Sequence, residues 1–228
     1  MIKNIKIKFI RVVSIIQNGF SPLIQYGPTG YSYKSKLYTP TSNIIRINGA
    51  FNYSKASISG TNNTILLKGH VHHSLIRVFG KDNCIVVEDD TELANLRIII
   101  RGNGCKVTIG KRVSCGSAYV VCMGVNNYVH IQDDCMLAED VDIWATDAHP
   151  IYNSKGTIIN NSKPIIIDNH VWLCKGAKLL KGVHVGSNSV IGMGCLVTKD
   201  IPANVLCAGV PATIIKENIN WENKFIEI

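Results

Sequence analysis

The sequence predicts an all-β fold, a parallel β-helix wound as a triangular solenoid, and three observations carry that prediction. From residue 167 onward every sixth position is aliphatic: Ile167, Leu173, Leu179, Val185, Ile191 and Val197. Four residues after each stands a small or apolar partner: Val171, Ala177, Val183, Ser189, Cys195 and Ile201. Upstream, the segments FGKDNCIVV (79–87), RGNGCKVTI (101–109) and MGVNNYVHI (123–131) begin 22 residues apart, each with Gly second and aliphatic residues seventh and ninth. On an α-helix a six-residue step turns through about 600° and scatters such a stripe around the axis. The same step fits a short strand plus a tight corner. Three such sides close an 18-residue coil, and stacked coils pair in parallel and bury a continuous aliphatic column.

Taken in order, residues 1–44 predict an N-terminal segment, a short helix or strand packed on the solenoid. Its opening, MIKNIKIKFIRVVSIIQNGF, mixes Lys with Ile, so a membrane-surface contact by a basic, apolar face is the alternative. The longest uncharged stretch, Val12 to Tyr33, holds Asn18, Gly19, Pro22, Gly27 and Pro28 and is too interrupted for a transmembrane span. The solenoid itself is expected over 45–216. A weaker coil including GTNNTILL (60–67) precedes hexads led by Val87, Leu93 and Ile99, by Ile109, Cys115 and Val121, and by Ile131, Leu137 and Ile143. The longer upstream period reads as 18-residue coils with four-residue expansions at one corner. Gly186 and Gly192 each follow an inward residue, near corners where tight backbone geometry favours glycine.

One stretch breaks the period: 149–164, HPIYNSKGTIINNSKP, polar and carrying Gly156 and Pro164. A long loop ejected from a regular scaffold commonly carries function, and His149 stands at its root. Beyond Ile201 the pattern dissolves, Gly209 and Pro211 turn the chain outward, and 217–228 predict a C-terminal cap, a short helix over the open end.

Composition bounds the function classes. Hydrophobic residues at 46% against 18% charged describe a packed globular chain and exclude disorder. The net charge is +8 and the isoelectric point about 9.1. The lysines are dispersed, with no basic run and no nucleic-acid module, which argues against nucleic acid and for a phosphate-bearing ligand or an anionic polysaccharide. Eight cysteines (Cys84, Cys105, Cys115, Cys122, Cys135, Cys174, Cys195, Cys207) form no C-x-x-C pair and read as reduced apolar fillers rather than metal ligands. The abundance of Ile, Asn and Lys suits an AT-rich bacterial genome. A cytoplasmic location is expected, with peripheral contact at the inner membrane left open.

The motifs ATDAHPIYN, VWLCKGAKLLKGV, SVIGMGCLVTKDIP and AGVPA follow one another in this order. Together with the run from 165 to 216 they resemble the left-handed β-helix (hexapeptide-repeat) acyltransferases, which include galactoside, maltose and serine acetyltransferases. The 22-residue Gly-Asn expansions are similar to the branch that O-acetylates capsule, polysialic acid and lipopolysaccharide sugars. The resemblance covers residues 60–216 and is strongest from 131. It implies a left-handed coil and a homotrimer. Acetyl-CoA would lie in a groove between neighbouring β-helices, with the sugar entering from the other side and one subunit's loop closing the site.

Residue by residue, His149 in TDAHP matches the family's catalytic histidine, and a neutral imidazole suits removal of an alcohol proton. Asp147 either holds the productive tautomer of that ring or bonds nearby backbone N–H groups as a turn residue. Trp172 in DNHVW is expected to point outward and wall the pantetheine or acetyl group, or else to lie buried at a trimer contact. Backbone N–H groups near Cys174 and Lys175 are candidate donors to the oxyanion. A covalent role for the Cys174 thiol is disfavoured, because the family transfers its acyl group directly. Coenzyme A contacts carry over to Met193, Thr198, Lys199, Gly209 and Lys216, with Met193 standing where many relatives have Ala. The Asn that helps bind acceptor in galactoside-type members falls near Ser117 or Ala118, which argues against a galactoside-like acceptor. His70, His72 and His73 form a basic corner or an acceptor contact, while His130, His170 and His184 read as surface residues.

The resemblance points to O-acetylation of a bacterial surface glycan. N-acetylation of a nucleotide-linked amino sugar is a near alternative. A γ-type carbonic anhydrase would need an H-x4-H zinc pair that the sequence lacks. A non-catalytic β-helix scaffold would need neither His149, Trp172 nor the loop.

Overall fold

The computed structural model describes residues 23–40, 42–224 and 226. Every helical or strand element among them is a strand. Three parallel sheets form the faces of a left-handed prism of about eight coils. The first face runs from Leu23–Tyr26 to His184–Val185 in eight strands, and the third from Lys36–Tyr38 to Leu196–Val197, also in eight. The second runs from Tyr31–Tyr33 to Val205–Ala208 and ends on one antiparallel strand, Thr213–Glu217. The twelve hexad positions from Ile167 to Ile201 are all interior, none more than 7% exposed. Their pairing is as the period requires, with Leu137, Leu173 and Ile191 in register on one face and Ile143, Leu179 and Val197 on another.

The winding reaches further upstream than residue 45. Leu23–Tyr26 pairs in register with Ile44–Ile47, so residues 23–44 are coils of the solenoid rather than a segment packed on it. The helix-or-strand reading of residues 1–22 lies outside the described residues.

The 22-residue period is real, since Ile85, Val107 and Val129 are register partners. The extra residues lengthen the third-face strands to eight, Leu96–Asn103 and Ala118–Val125, before the corner turns. The second-to-third corner is correspondingly one residue shorter in these coils. Side chains alternate along a strand, so that single-residue slip changes which ones face the core. Leu96, Ile98 and Ile100 point inward, as do Val120 and Cys122, while Ile99 and Val121 are buried outside the core cluster. The hexad leaders Ile99 and Val121 are therefore corrected to Ile98 and Val120, which pair with Ile76 and Ile143.

Two polar ladders run inside the early coils. Asn63 Nδ2 donates to Asn43 Oδ1 (2.9 Å), and Asn83 Nδ2 to Asn63 Oδ1 (2.9 Å). Each of the two also donates to a glycine carbonyl of the next coil, Gly80 or Gly102, at 2.9 Å. Ser54 and Ser74 N–H groups bond the hydroxyls of Ser35 and Ser54 at 3.0 and 2.9 Å. The stacked corners force the chain into close approach. Gly80 has φ +114°, and a Cβ there would lie 1.9 Å from the Gly102 carbonyl oxygen. Gly186 has no such φ; its need for glycine is space, with the Ala203 backbone 2.5 Å from a would-be Cβ.

The C-terminal end differs from expectation too. Among the described residues the tail forms no helix: Thr213–Glu217 extends the second face antiparallel to Val205–Ala208. The chain then doubles back along the first-to-second corner. Ile219 N–H bonds the Asn204 carbonyl at 3.0 Å, and Trp221 Nε1 donates to the His170 carbonyl at 2.9 Å.

Candidate active site

The strand Val141–Trp144 closes the third face of the sixth coil, and the loop departs at its end. Ala145 is still interior, its N–H bonded to the Val121 carbonyl at 2.9 Å. Thr146 Oγ1 then accepts the Ala148 N–H (3.0 Å) and meets the Ser162 hydroxyl (2.9 Å), tying the outgoing leg to the returning one. Ala148 sits at φ +64°, an unfavourable region for alanine, immediately before His149. Asn160 reaches across the root: its Nδ2 donates to the His149 carbonyl (2.8 Å) and Asp147 Oδ2 (2.9 Å), and its Oδ1 accepts Ile151 N–H (2.7 Å). From the next coil Lys181 Nζ donates to the Asn160 carbonyl (2.8 Å) and to the Asp147 carboxylate.

His149 is thus held through its backbone while its side chain is exposed, and no hydrogen bond to the imidazole occurs among the described residues. The Asp147 carboxylate meets Lys181 and Asn160, and only its carbonyl meets His149, accepting the N–H at 2.7 Å. Burial pushes the Asp147 carboxyl up, but the Lys181 and Asn160 hydrogen bonds outweigh it and leave the group below the usual carboxylate range. Lys181 and Asn160 were not singled out in the sequence. One is a lysine in a regular hexad, the other an asparagine in a polar loop, and neither carries a signal without the fold that joins them.

Beyond the root the loop forms a small hairpin, with Tyr152 bridging Ile158 and Asn153 Oδ1 capping the turn through Lys155 and Thr157 N–H groups (2.9 and 3.0 Å). It exposes Ile151, Tyr152, Ile158 and Ile159, the last at 61%.

Apart from Trp172 and Lys216, which lie on the second face, the remaining candidates divide between two edges of the third face. Thr198 and Lys199 are exposed on the corner that carries His149, two coils further along. Cys174, Lys175, Met193 and Gly209 lie on the opposite corner, where Met193 is 75% and Val210 71% exposed. The Cys174 N–H is spent on the Ile191 carbonyl (2.9 Å), which removes it as an oxyanion donor. Burial raises the Cys174 thiol to about 11, so it is no ready nucleophile. Lys175 pairs with Glu139 at 2.8 Å. Lys216 is exposed on the antiparallel strand at the end of the second face.

Trp172 does face outward, on the second face, which lies opposite the His149 corner of the prism. Its ring is covered: Trp221 lies against it at 5.7 Å and 42°, and stacks on His170 at 4.3 Å and 8°. The Trp172 Nε1 is buried and has no hydrogen-bond partner among the described residues. In a single chain, then, Trp172 and His149 do not share a site. His170 and His184 are engaged by their own surroundings, Asn188 at 3.0 Å and Asp168 at 2.9 Å, and His130 meets Thr108.

Among the described residues no helix is long and apolar enough to cross a membrane, and no group of three His, Cys, Asp or Glu is placed to hold a metal ion. All eight cysteines are free thiols, six of them buried.

The described residues form a triangular parallel solenoid with one braced loop, and similarity to known proteins says which class of solenoid it is. The chain is 42% identical over 125 residues to a polysialic acid O-acetyltransferase of Escherichia coli O1:K1, covering 54% of this chain and 40% of that protein. It is 33% identical over 138 residues to a polysialic acid O-acetyltransferase of Neisseria meningitidis, covering 60% and 63%. Both alignments span less than two thirds of the relative's own length. The solved structure of the polySia-specific acetyltransferase NeuO matches with a TM-score of 0.70 and 30% identity, over 89% of this chain and 83% of that one. No model of a protein family matches the sequence. The chain belongs to the hexapeptide-repeat acyltransferases.

Proposed function

We propose that the chain is an acetyl-CoA-dependent O-acetyltransferase acting on a hydroxyl of a bacterial surface glycan, with His149 as general base. One observation carries this reading. The loop root is locked by Asn160, Lys181 and Thr146, yet the imidazole it presents is exposed and has no hydrogen-bond partner among the described residues. A side chain positioned through its backbone but left without its own partner is prepared for a substrate proton. The names of the relatives, polysialic acid O-acetyltransferases, favour an acidic sugar as acceptor, as does the net charge of +8.

In this mechanism His149 takes the acceptor hydroxyl proton as the oxygen attacks the thioester carbonyl. The C–O bond forms, the C–S bond breaks, and the imidazolium returns its proton to the departing coenzyme A thiolate. Acetyl-CoA enters as co-substrate. Gly194, with open space where a Cβ would stand, leaves backbone accessible to a thin pantetheine arm beside Met193 and Gly209, and Lys199 and Lys216 are exposed to meet phosphates. We assign the working form as a homotrimer in the cytoplasm. His149 and Lys199 lie on one edge of the third face and Met193 and Gly209 on the other, and both edges expose apolar side chains: Ile151 and Ile159 on the loop, Met193 and Val210 opposite. A neighbouring copy that sets one edge against the other would join them and cover that surface.

The test is acetylation of acidic oligosaccharides, followed by mass spectrometry and by release of coenzyme A thiol. His149→Ala should cut turnover by about 10²–10⁴-fold with an unchanged melting temperature. Turnover at the wild-type level would remove His149 as the base, and a wild-type chain that transfers no acetyl group would leave the scaffold reading standing.

A further inference from the structure

A second cluster of rings lies several coils from His149, on the corner between the second and third faces. There Lys34, Tyr53 and His73 occupy equivalent positions of successive coils at φ 49°, 50° and 52°, and Asn95 follows at 48°. Because each coil repeats the same corner, the side chains stack. The Tyr53 and His73 rings are 5.0 Å apart and nearly parallel (9°), Tyr33 meets Tyr53 edge-on at 5.4 Å, and His72 meets His73 edge-on at 5.6 Å. Lys34 Nζ lies 5.4 Å from the Tyr33 ring centroid and 5.6 Å from that of Tyr53.

This corner borders a hollow of about 280 Å³ that includes Tyr31, Asn52, Tyr53, His70, His72 and Glu92. Tyr31, Tyr33 and Tyr53 are exposed, Tyr53 by 49%. Asn52 holds a buried Oδ1 with no partner among the described residues. The carboxylate there, Glu92, is taken by His70 at 2.7 Å, whereas Lys34 supplies positive charge beside the rings, and Lys55, 5.1 Å from the Tyr38 ring, adds more on the adjoining third face.

We propose that this Tyr-His-Lys corner is a docking platform for an acidic glycan chain, remote from the sugar being modified. The proposal rests on the acetyltransferase reading for the identity of the chain that docks. The chemistry fits that occupant. Tyrosines give rigid, amphipathic contact area at small entropic cost. Ring surface takes the apolar side of a sugar. Phenol, imidazole and amide groups serve its hydroxyls, and the lysines its carboxylates. The platform lies in the first described coils and His149 in the sixth, across the third face on the next corner; at about 4.8 Å per coil along the axis, several sugar units separate the two.

The left-handed corner supplies a clean test. Asn tolerates that backbone and already stands there as Asn95, so Tyr53→Asn and Lys34→Asn remove the ring and the charge without straining the turn. Binding of sialic acid oligomers of increasing length, of a neutral maltooligosaccharide and of a single-stranded oligonucleotide would be measured by calorimetry on the full chain, beside acetylation of long and monomeric acceptors. The double variant should bind long acidic oligomers about tenfold more weakly and raise their KM to match, leaving kcat and turnover of monomeric acceptor unchanged. Equal loss on monomer and oligomer, undiminished oligomer binding, or a defect confined to the oligonucleotide would overturn the platform. So would a drop in oligomeric size, which would give the surface to a second copy. Because binding is read separately from acetylation, a wild-type chain that binds oligomers but transfers no acetyl group would refute the reaction and leave the platform intact.

Discussion

Replacing Asn83 by alanine tests the interior ladder on which the early coils depend. The side chain is 2% exposed and makes three contacts: Nδ2 to Asn63 Oδ1 and to the Gly102 carbonyl, and Oδ1 from the Cys105 N–H, each at 2.9 Å. Asn63 Oδ1 keeps a donor in the Asn83 backbone N–H (3.0 Å), so two groups, the Gly102 carbonyl and the Cys105 N–H, lose this partner in a dry interior. At about 1–3 kcal/mol for each buried polar group left unpaired, the expected loss is about 2–6 kcal/mol. The chain offers its own control. One coil later Cys105 takes the ladder position, and its thiol donates to the Gly124 carbonyl at 3.3 Å. Asn83→Cys should therefore restore the carbonyl's partner and cost about half as much. Urea unfolding followed by circular dichroism gives both values. A loss below about 1 kcal/mol for alanine, or a cysteine variant no better than alanine, would refute the assignment of stability to the ladder.

Four further predictions address the site and its frame. Lys181→Met frees Asp147 and Asn160, and the loosened root should lower kcat by about 10–100-fold while KM for acetyl-CoA changes little, as steady-state kinetics would show; Lys181→Arg should recover part of it. Asp147 is held below its ordinary value, so its contribution is present above about pH 4 and fades as pH falls through the depressed value. Proteolysis of the 149–164 loop should accelerate on acidification in wild type, and in Lys181→Met should be fast already near neutrality. Gly80→Ala places a methyl group against the Gly102 carbonyl at a φ alanine avoids and should cost about 3 kcal/mol or more, visible as a lowered melting temperature. Trp221→Ala should uncover Trp172 and raise its quenching by iodide, with a loss of about 3 kcal/mol.

Much of the fold was legible because a solenoid repeats. Each coil meets only its neighbours, so a local period such as Ile167–Leu173–Leu179 is also the long-range contact pattern. Phase was less legible. A corner one residue shorter turned Ile99 and Val121 outward, and a six-residue ruler cannot register that slip. The asparagine column carries no signal in the spacing, because a buried amide is tolerable only where a coil above and a coil below both bond it, as they do for Asn63.

By itself, then, the sequence determined the all-β winding, the inward aliphatic columns and the emergence of one long loop at His149, since all three are written in spacing along the chain. Tertiary structure alone decided that Lys181 and Asn160 brace that histidine, that Trp221 covers Trp172 and bonds the His170 carbonyl, and that Trp172 and His149 lie on opposite sides of the prism. Those relations join residues up to 51 positions apart through directional hydrogen bonds and ring contacts. Such contacts exist only after the coils have stacked.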